Sequence, residues 1–457
     1  DMANTATKDL TNGSPMKLIL GFSLPLLGGV LFQQFYNLID TMIVGKFLGK
    51  EALAGVGSTG AINFMIIGFC MGVCNGFAIP ISQRFGAKDY VSMRKFAAHS
   101  IYLAIVFALI MTILASVFCR QILIWMNTPA DVIAYAYSYI IIILIGIPVI
   151  YMYNLLSGFL RALGDSRHPV IFVVVGSITN IVLDLFCILV LHMGVAGAAV
   201  ATVISQLVSG ICCLIFILRK IEIIHIRRNE WKVDHSYFGT LCAMGIPMGL
   251  QYSITAIGSV ILQVAINGLG SDAVAAVTAA SKVSMLFCCP FDAMGSTMAT
   301  YAGQNVGARK LNRLGSGLKA CIKLGVTYAI FAFIILFFFG DKFAMLFLDS
   351  NETTVLAHAR IFLILNSAFY VPLALVNIIR FTIQGMGFSM FAILAGVCEM
   401  AARTAVALIL VPLIGFTGTC LASPFAWICA DIFLIPAFIH VRKRLKKMFG
   451  VCTDQSI

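Results

Sequence analysis

Two aspartates stand where a membrane-spanning sequence carries no charge by default. Asp40 falls in "FQQFYNLIDTMIVG" (Phe32–Gly45), within a run that is otherwise nearly uncharged from Leu18 to Val44. Placed on a helix, Gln33, Asn37 and Asp40 follow at i, i+4 and i+7 and form one polar stripe on an apolar rod. Asp184 belongs to "SITNIVLDLF", where Ser177, Asn180 and Asp184 share a face; Thr202 and Gln206 share another on the next apolar run. A carboxylate inside a bilayer costs at least ~2.5–3.5 kcal/mol, so it marks an ion or substrate path by default. Two carboxylates with Asn and Thr oxygens are hard ligands, suited to a small cation such as Na⁺. Two close carboxylates can instead share a proton, and low dielectric makes H⁺ the preferred reading. At ~1.5 Å per residue both acids reach the outer half of the membrane. Two plainer readings stand beside this one: an Asp near a helix end in water, and a hydrogen-bond network that only ties helices together.

These residues need elements to hold them. The 457 residues are 60% hydrophobic and 11% charged, against about 25% charged in a soluble chain. Apolar runs of spanning length, about 20 residues, occur at 16–43, 55–80, 95–118, 132–160, 168–190, 195–218, 237–265, 274–301, 316–340, 354–384, 389–411 and 416–441. The fold class is an all-α polytopic membrane protein with twelve helices, both termini on one side. The net charge of +12 invites a nucleic-acid partner, but its distribution excludes one. Arg84, Lys88, Arg94, Lys95, Arg161, Arg167, Arg309, Lys310 and Arg380 fall in segments on the side of the termini, while the other side holds only Lys46, Lys50, Arg120 and Lys342. This is the positive-inside pattern. It puts both termini in the cytoplasm and the basic face against anionic lipid of the cell membrane. The 14 cysteines show no ligand spacing and read as small core residues. No GxxxxGK[ST] motif occurs and no nucleophile–base pair is visible. No enzyme, no cofactor and no metal beyond a possible Na⁺ are expected.

The chain also repeats itself. "LGKEALA" at 48–54 answers "LGSDAVA" at 269–275, "QRFGAK" at 83–88 answers "QNVGAR" at 304–309, and "GVAGAAVA" at 194–201 answers "GFTGTCLA" at 415–422. Two six-helix halves of parallel topology follow. The expected organisation is a disordered segment 1–15, a first bundle 16–218, a cytoplasmic linker 219–236, a second bundle 237–441 and a basic cytoplasmic tail 442–457. The linker reads either as an interfacial amphipathic segment or as a solvated connection. Pro25 and Pro247 sit early in the first helix of each half, as hinges or as static bends. Mapped between halves, Asp40, Asn180 and Asp184 meet Ile261, Arg403 and Ala407, so the acidic cluster is expected in the first half only. The second half carries Asp292, Asp431 and an i, i+4 pair, Glu399 and Arg403, read as a self-neutralising structural ion pair.

At these residues the chain resembles the multidrug and toxic compound extrusion (MATE) family. "FYNLIDTMIVGKFLG", "RFGAKD", "LSGFLRALGDSRHP" and "TNIVLD" look like its motifs, and the two-times-six repeat matches its architecture, from Met16 to about Lys447. The resemblance is to the DNA-damage-inducible prokaryotic (DinF-like) branch. It implies a V-shaped pair of bundles around a central cavity, with small organic substrates exported by alternating access in exchange for H⁺ or Na⁺. It also implies that Asp40, Asn180, Asp184 and Thr202 bind the cation and that Gln33, Tyr36, Asn37 and Asn154 contact substrate. The family's other branch has acids in its seventh and tenth helices, where this sequence has none. A lipid-linked precursor flippase of the same superfamily is the alternative, and a monomer is expected.

Overall fold

The computed structural model describes residues 7–125, 128–348 and 350–450. Among the described residues, ten helices are long and apolar enough to cross a membrane: Pro15–Leu48, Glu51–Gly86, Tyr90–Val117, Arg167–Val190, Val195–Lys220, His235–Asn267, Asp272–Gly307, Leu311–Ala344, Met390–Ile414 and Phe416–Met448. Two bent pairs complete a set of twelve. Ile133–Ile145 meets Ile147–Ala162 at 50°, and Thr353–Ala368 meets Tyr370–Gly385 at 51°. Numbered in chain order, the bent pairs are the fourth and tenth helices. Pro148 and Pro372 stand just past the two breaks; a proline offers no N–H to the preceding turn, which localises a kink there. No strand occurs among the described residues. The twelve apolar runs read from the sequence are these twelve helices.

The repeat is written into the turns. Gly49 and Gly270 have φ of 91° and 106°, and Gly194 and Gly415 have 67° and 66°. Only a residue without Cβ takes these conformations freely, so both halves turn at matching places by the same means. Lys88 and Arg309 pay the strain instead, at 59° and 57°.

Two compact units result, and their boundary differs from the expected 16–218 and 237–441. The first unit takes in Leu24–Ser253 with the residues up to Asp9; the second takes in Leu10–Ser23 and Ile254–Ile457. The first helix therefore changes unit beside Pro25 and the seventh changes unit shortly after Pro247, though both helices continue unbroken through their prolines. Local chemistry explains both exchanges. In the first unit Gly72 and Gly76 of the second helix meet Gly245 and Gly249 of the seventh, backbone to backbone. A Cβ on Gly72 would lie 2.5 Å from the Met248 carbonyl oxygen, and one on Gly76 would fall onto the Gly245 backbone. Small residues at i, i+4 allow such close approach. In the second unit Ser23 of the first helix shares a 2.7 Å hydroxyl hydrogen bond with Thr297 of the eighth.

The segment expected to be disordered, 1–15, is ordered where it is described. The Leu10 N–H donates to Gln304 Oε1 (2.8 Å), Arg313 donates to the Gly13 and Leu10 carbonyls (2.8 and 3.1 Å), and Lys310 Nζ to the Thr11 carbonyl (2.9 Å). Leu10 and Thr11 are buried. Composition missed this because backbone carbonyls, which every sequence has, capture the cations. Residues 1–6 lie outside the described residues.

The junction 219–236 is held against the third helix rather than freely solvated. Arg219 and Lys220 finish the sixth helix. Beyond them Glu230 is buried and holds Arg94 of the third helix, both carboxylate oxygens 2.9 Å from Nε. Arg94 also donates to the Ile223 carbonyl (3.2 Å) and Tyr102 Oη to that of Trp231 (2.8 Å). The expected tail is corrected too: the twelfth helix runs to Met448, so 442–448 are helical, and 451–457 lie outside the described residues.

Candidate cation site

The first helix brings Asp40, and the fifth Asn180 and Asp184, to one place in the first unit. Asn180 and Asp184 have no exposed surface. The Asp40 and Asp184 carboxyls lie within electrostatic reach of each other. No N–H or O–H donor among the described residues reaches Asp40 Oδ1, either Asp184 oxygen or Asn180 Oδ1. Four acceptor oxygens are thus collected with no protein donor.

The surrounding hydroxyls explain why. Asn180 Nδ2 donates to Tyr36 Oη (2.7 Å), Ser205 Oγ (3.2 Å) and Thr202 Oγ1 (3.3 Å). Thr202 Oγ1 spends its own hydrogen on the Ala198 carbonyl (3.0 Å) and Ser205 Oγ on that of Thr202 (2.7 Å). The amide is therefore held with its nitrogen on the hydroxyls and its oxygen left over. A buried polar atom without a partner costs about 1–3 kcal/mol, more if charged. Two buried carboxylates in such reach cannot both stay ionised unaided. A shared proton or a small hard cation removes the deficit. The fifth helix widens into a π-helical turn at Phe186–Val190, directly after Asp184, a local feature common at functional sites.

The remaining sequence candidates divide. Gln33 and Tyr36 line a cleft of about 30 Å³ with Ser177, Ser205 and Gln206, room for about one water molecule. Asn37 is exposed on the first helix. Asn154 donates to its own helix, at the Ile150 carbonyl (2.8 Å), and does not join the acid pair. Tyr139 of the fourth helix was not singled out by sequence, yet it is buried within electrostatic reach of Asp40, Asp184 and Tyr36. In "IAYAYSYIIIILI" three tyrosines alternate, and nothing in the spacing separates Tyr139 from the others.

The second unit carries its charges elsewhere, and its expected Glu399–Arg403 pair has a further partner. Glu399 does pair with Arg403 (3.5 Å), but its other oxygen takes Arg380 at 3.2 Å. Arg380, which falls within the expected run 354–384, is a buried residue of the tenth helix that also donates to Asn377 Oδ1 (3.3 Å). Asp292 and Asp431 lie within its electrostatic reach. Asp292 is exposed and Asp431 buried. The neutral pair is in fact one edge of a five-charge network.

Comparison with known proteins gives this geometry a family. The MatE profile matches residues 25–186 and again 247–409, once in each half. The chain belongs to the MatE family. This MatE protein is a transporter, not an enzyme, and a multi-pass membrane protein. It is 27% identical over 375 residues to a probable multidrug resistance protein, YoeA, of Bacillus subtilis, covering 80% of both chains. It is 23% identical to a FAD transporter of Shewanella oneidensis over 84% of this chain and 85% of that protein. Among solved structures, an outward-facing multidrug resistance MATE transporter superposes with a TM-score of 0.89 at 25% identity, covering 96% of this chain and 98% of that one.

Proposed function

We propose that this protein is a secondary active exporter of small amphipathic, often cationic organic compounds, driven by cation entry through alternating access. The observation that carries the reading is the donor-less pair of Asp40 and Asp184. A buried site that must hold one positive charge, and can release it, is what exchange against a cation gradient requires. H⁺ is the coupling ion in this reading and Na⁺ the alternative, with Asn180 and Thr202 completing an oxygen shell in either case. The basic residues on the side of the termini support a cell-membrane protein with both termini in the cytoplasm. Pro25 and Pro247 serve as hinges where the first and seventh helices change unit. A protomer acts alone.

The multidrug relative supports the substrate class. The carboxyl-centred site of the first unit favours cationic cargo over a pyrophosphate-bearing lipid, so the flippase reading ranks below export. The test is export of a fluorescent cationic dye from liposomes under separate gradients. Export should follow a pH gradient at constant Na⁺. Export that follows a sodium gradient at constant pH, and ignores a pH gradient, assigns the site to Na⁺.

A further inference from the structure

The second unit's network contains one carboxyl that its arginines leave alone. Asp431, on the twelfth helix, is 7% exposed, and its Oδ1 is buried with no donor. Arg380 lies within electrostatic reach of it. Arg380 commits Nη1 to Glu399 and Nη2 to Asn377, while its Nε–H is buried with no acceptor. An orphaned donor and an orphaned acceptor in one buried network each cost about 1–3 kcal/mol. An ionised Asp431 would draw the guanidinium to it. A neutral one has far less hold on it.

The rest of the surroundings points the same way. The twelfth helix packs against the tenth, the eleventh and the π-helical continuation of the eleventh. The tenth presents Tyr370, Arg380 and, on its first segment, His358; the eleventh presents Cys398, Glu399 and Arg403; the continuation Val406–Leu410 is uncharged. The twelfth adds Cys429 and His440. His358 stacks on Phe416 (4.6 Å) and His440 lies against Phe391 (6.3 Å), so neither imidazole is spent on Asp431. Glu399 is bound by both guanidiniums. Asp292 stands on the eighth helix and is exposed. Among the described residues of the second unit, Asp431 is the buried acid with an unpartnered carboxyl oxygen.

We propose that Asp431 is a second proton-binding site, confined to the second unit and independent of the Asp40–Asp184 pair. Loss of its proton to solvent converts it to a carboxylate that takes the free Nε–H of Arg380. The site then alternates between a neutral carboxyl beside an unsatisfied guanidinium and a direct ion pair. Its acid stands on the twelfth helix, whereas the seventh and tenth helices carry no acid in this sequence.

The experiment follows the carbonyl stretch of protonated carboxyls by infrared difference spectroscopy on the purified full chain while pH is raised. Asp431→Asn should remove one titrating component, and Asp40→Asn with Asp184→Asn should leave that component in place. A parent without the component, or an Asp431→Asn protein whose spectrum matches the parent's, overturns the proposal. So does loss of the component in the Asp40→Asn/Asp184→Asn protein. Trp427, one turn before Asp431 and 6.3 Å from the Tyr370 ring, gives a local readout in a Trp125→Phe/Trp231→Phe background. Its emission should shift with the same midpoint, and Asp431→Glu should move that midpoint while keeping the transition. If Asp431→Asn does not fold, an Asp431→Glu protein with an unmoved midpoint is the contradicting result.

Discussion

The two units solve one problem, charge inside apolar helices, in opposite ways. The first unit brings two carboxyls within reach of each other and supplies them with no donor. The second unit threads its acids with two guanidiniums, so Glu399 carries Arg380 on one oxygen and Arg403 on the other. A carboxyl pair without donors must take a cation from outside the protein. A carboxylate between guanidiniums already has its cations. The duplicated frame thus leaves one half with buried acceptors and no donor, and gives the other a carboxylate held between two guanidiniums. Asn180 and Arg403 occupy matching positions in the repeat, and Asp40 and Asp184 match Ile261 and Ala407, so the counterparts of the first unit's amide and two acids are one arginine and two apolar residues.

The comparison breaks most directly at Asp184. Asp184→Asn should abolish cation-coupled export, and Asp40→Asn should do the same, with both proteins still folded and inserted. Normal drug resistance in cells making either variant at parental levels would refute the assignment.

The second unit gives the next largest effect, on stability rather than coupling. Glu399→Gln strands two buried guanidiniums and should cost on the order of 3–5 kcal/mol. Arg403→Gln leaves Glu399 with Arg380 and should cost less. Thermal unfolding in detergent ranks the two; an equal or reversed order would mean that Arg380 does not depend on Glu399.

Smaller effects separate the two helix exchanges. Gly76→Val puts branched bulk onto the Gly245 backbone and should cost at least about 1–3 kcal/mol by overpacking. Ser23→Ala at the equivalent crossing of the second unit removes one hydroxyl bond. It should cost about 1 kcal/mol, because Thr297 keeps its bond to the Ala293 carbonyl (2.7 Å). Unfolding midpoints in one detergent decide whether the glycine crossing is the less tolerant of the two.

Most of this architecture is legible in the sequence because lipid imposes one rule, long apolar runs, and the repeat imposes another. All twelve helices follow from hydropathy, and the matching turns from paired motifs such as "QRFGAK" and "QNVGAR". What escaped depends on partners distant in sequence. Arg380 looks like one more cation on the side of the termini until the tenth helix buries it beside Glu399. Leu10–Gly13 look disordered because they are held through their backbone by Lys310 and Arg313. Glu230 looks solvated until Arg94 meets it. Asp40 and Asp184 stand out because each is a rare acid in an apolar run. Tyr139 is hidden among other tyrosines of the same run.

The central claim is that the coupling charge rides on the Asp40–Asp184 pair and not on the Glu399 network. Substrate-driven cation movement in liposomes, measured side by side for the parent, Asp184→Asn and the Glu399→Gln/Arg403→Gln double variant, tests it directly. The account predicts no coupled movement for Asp184→Asn, and an unchanged coupling ion and stoichiometry for the double variant, even where its yield is lower. A double variant that uncouples while Asp184→Asn stays coupled would place the coupling site in the second unit and contradict the account.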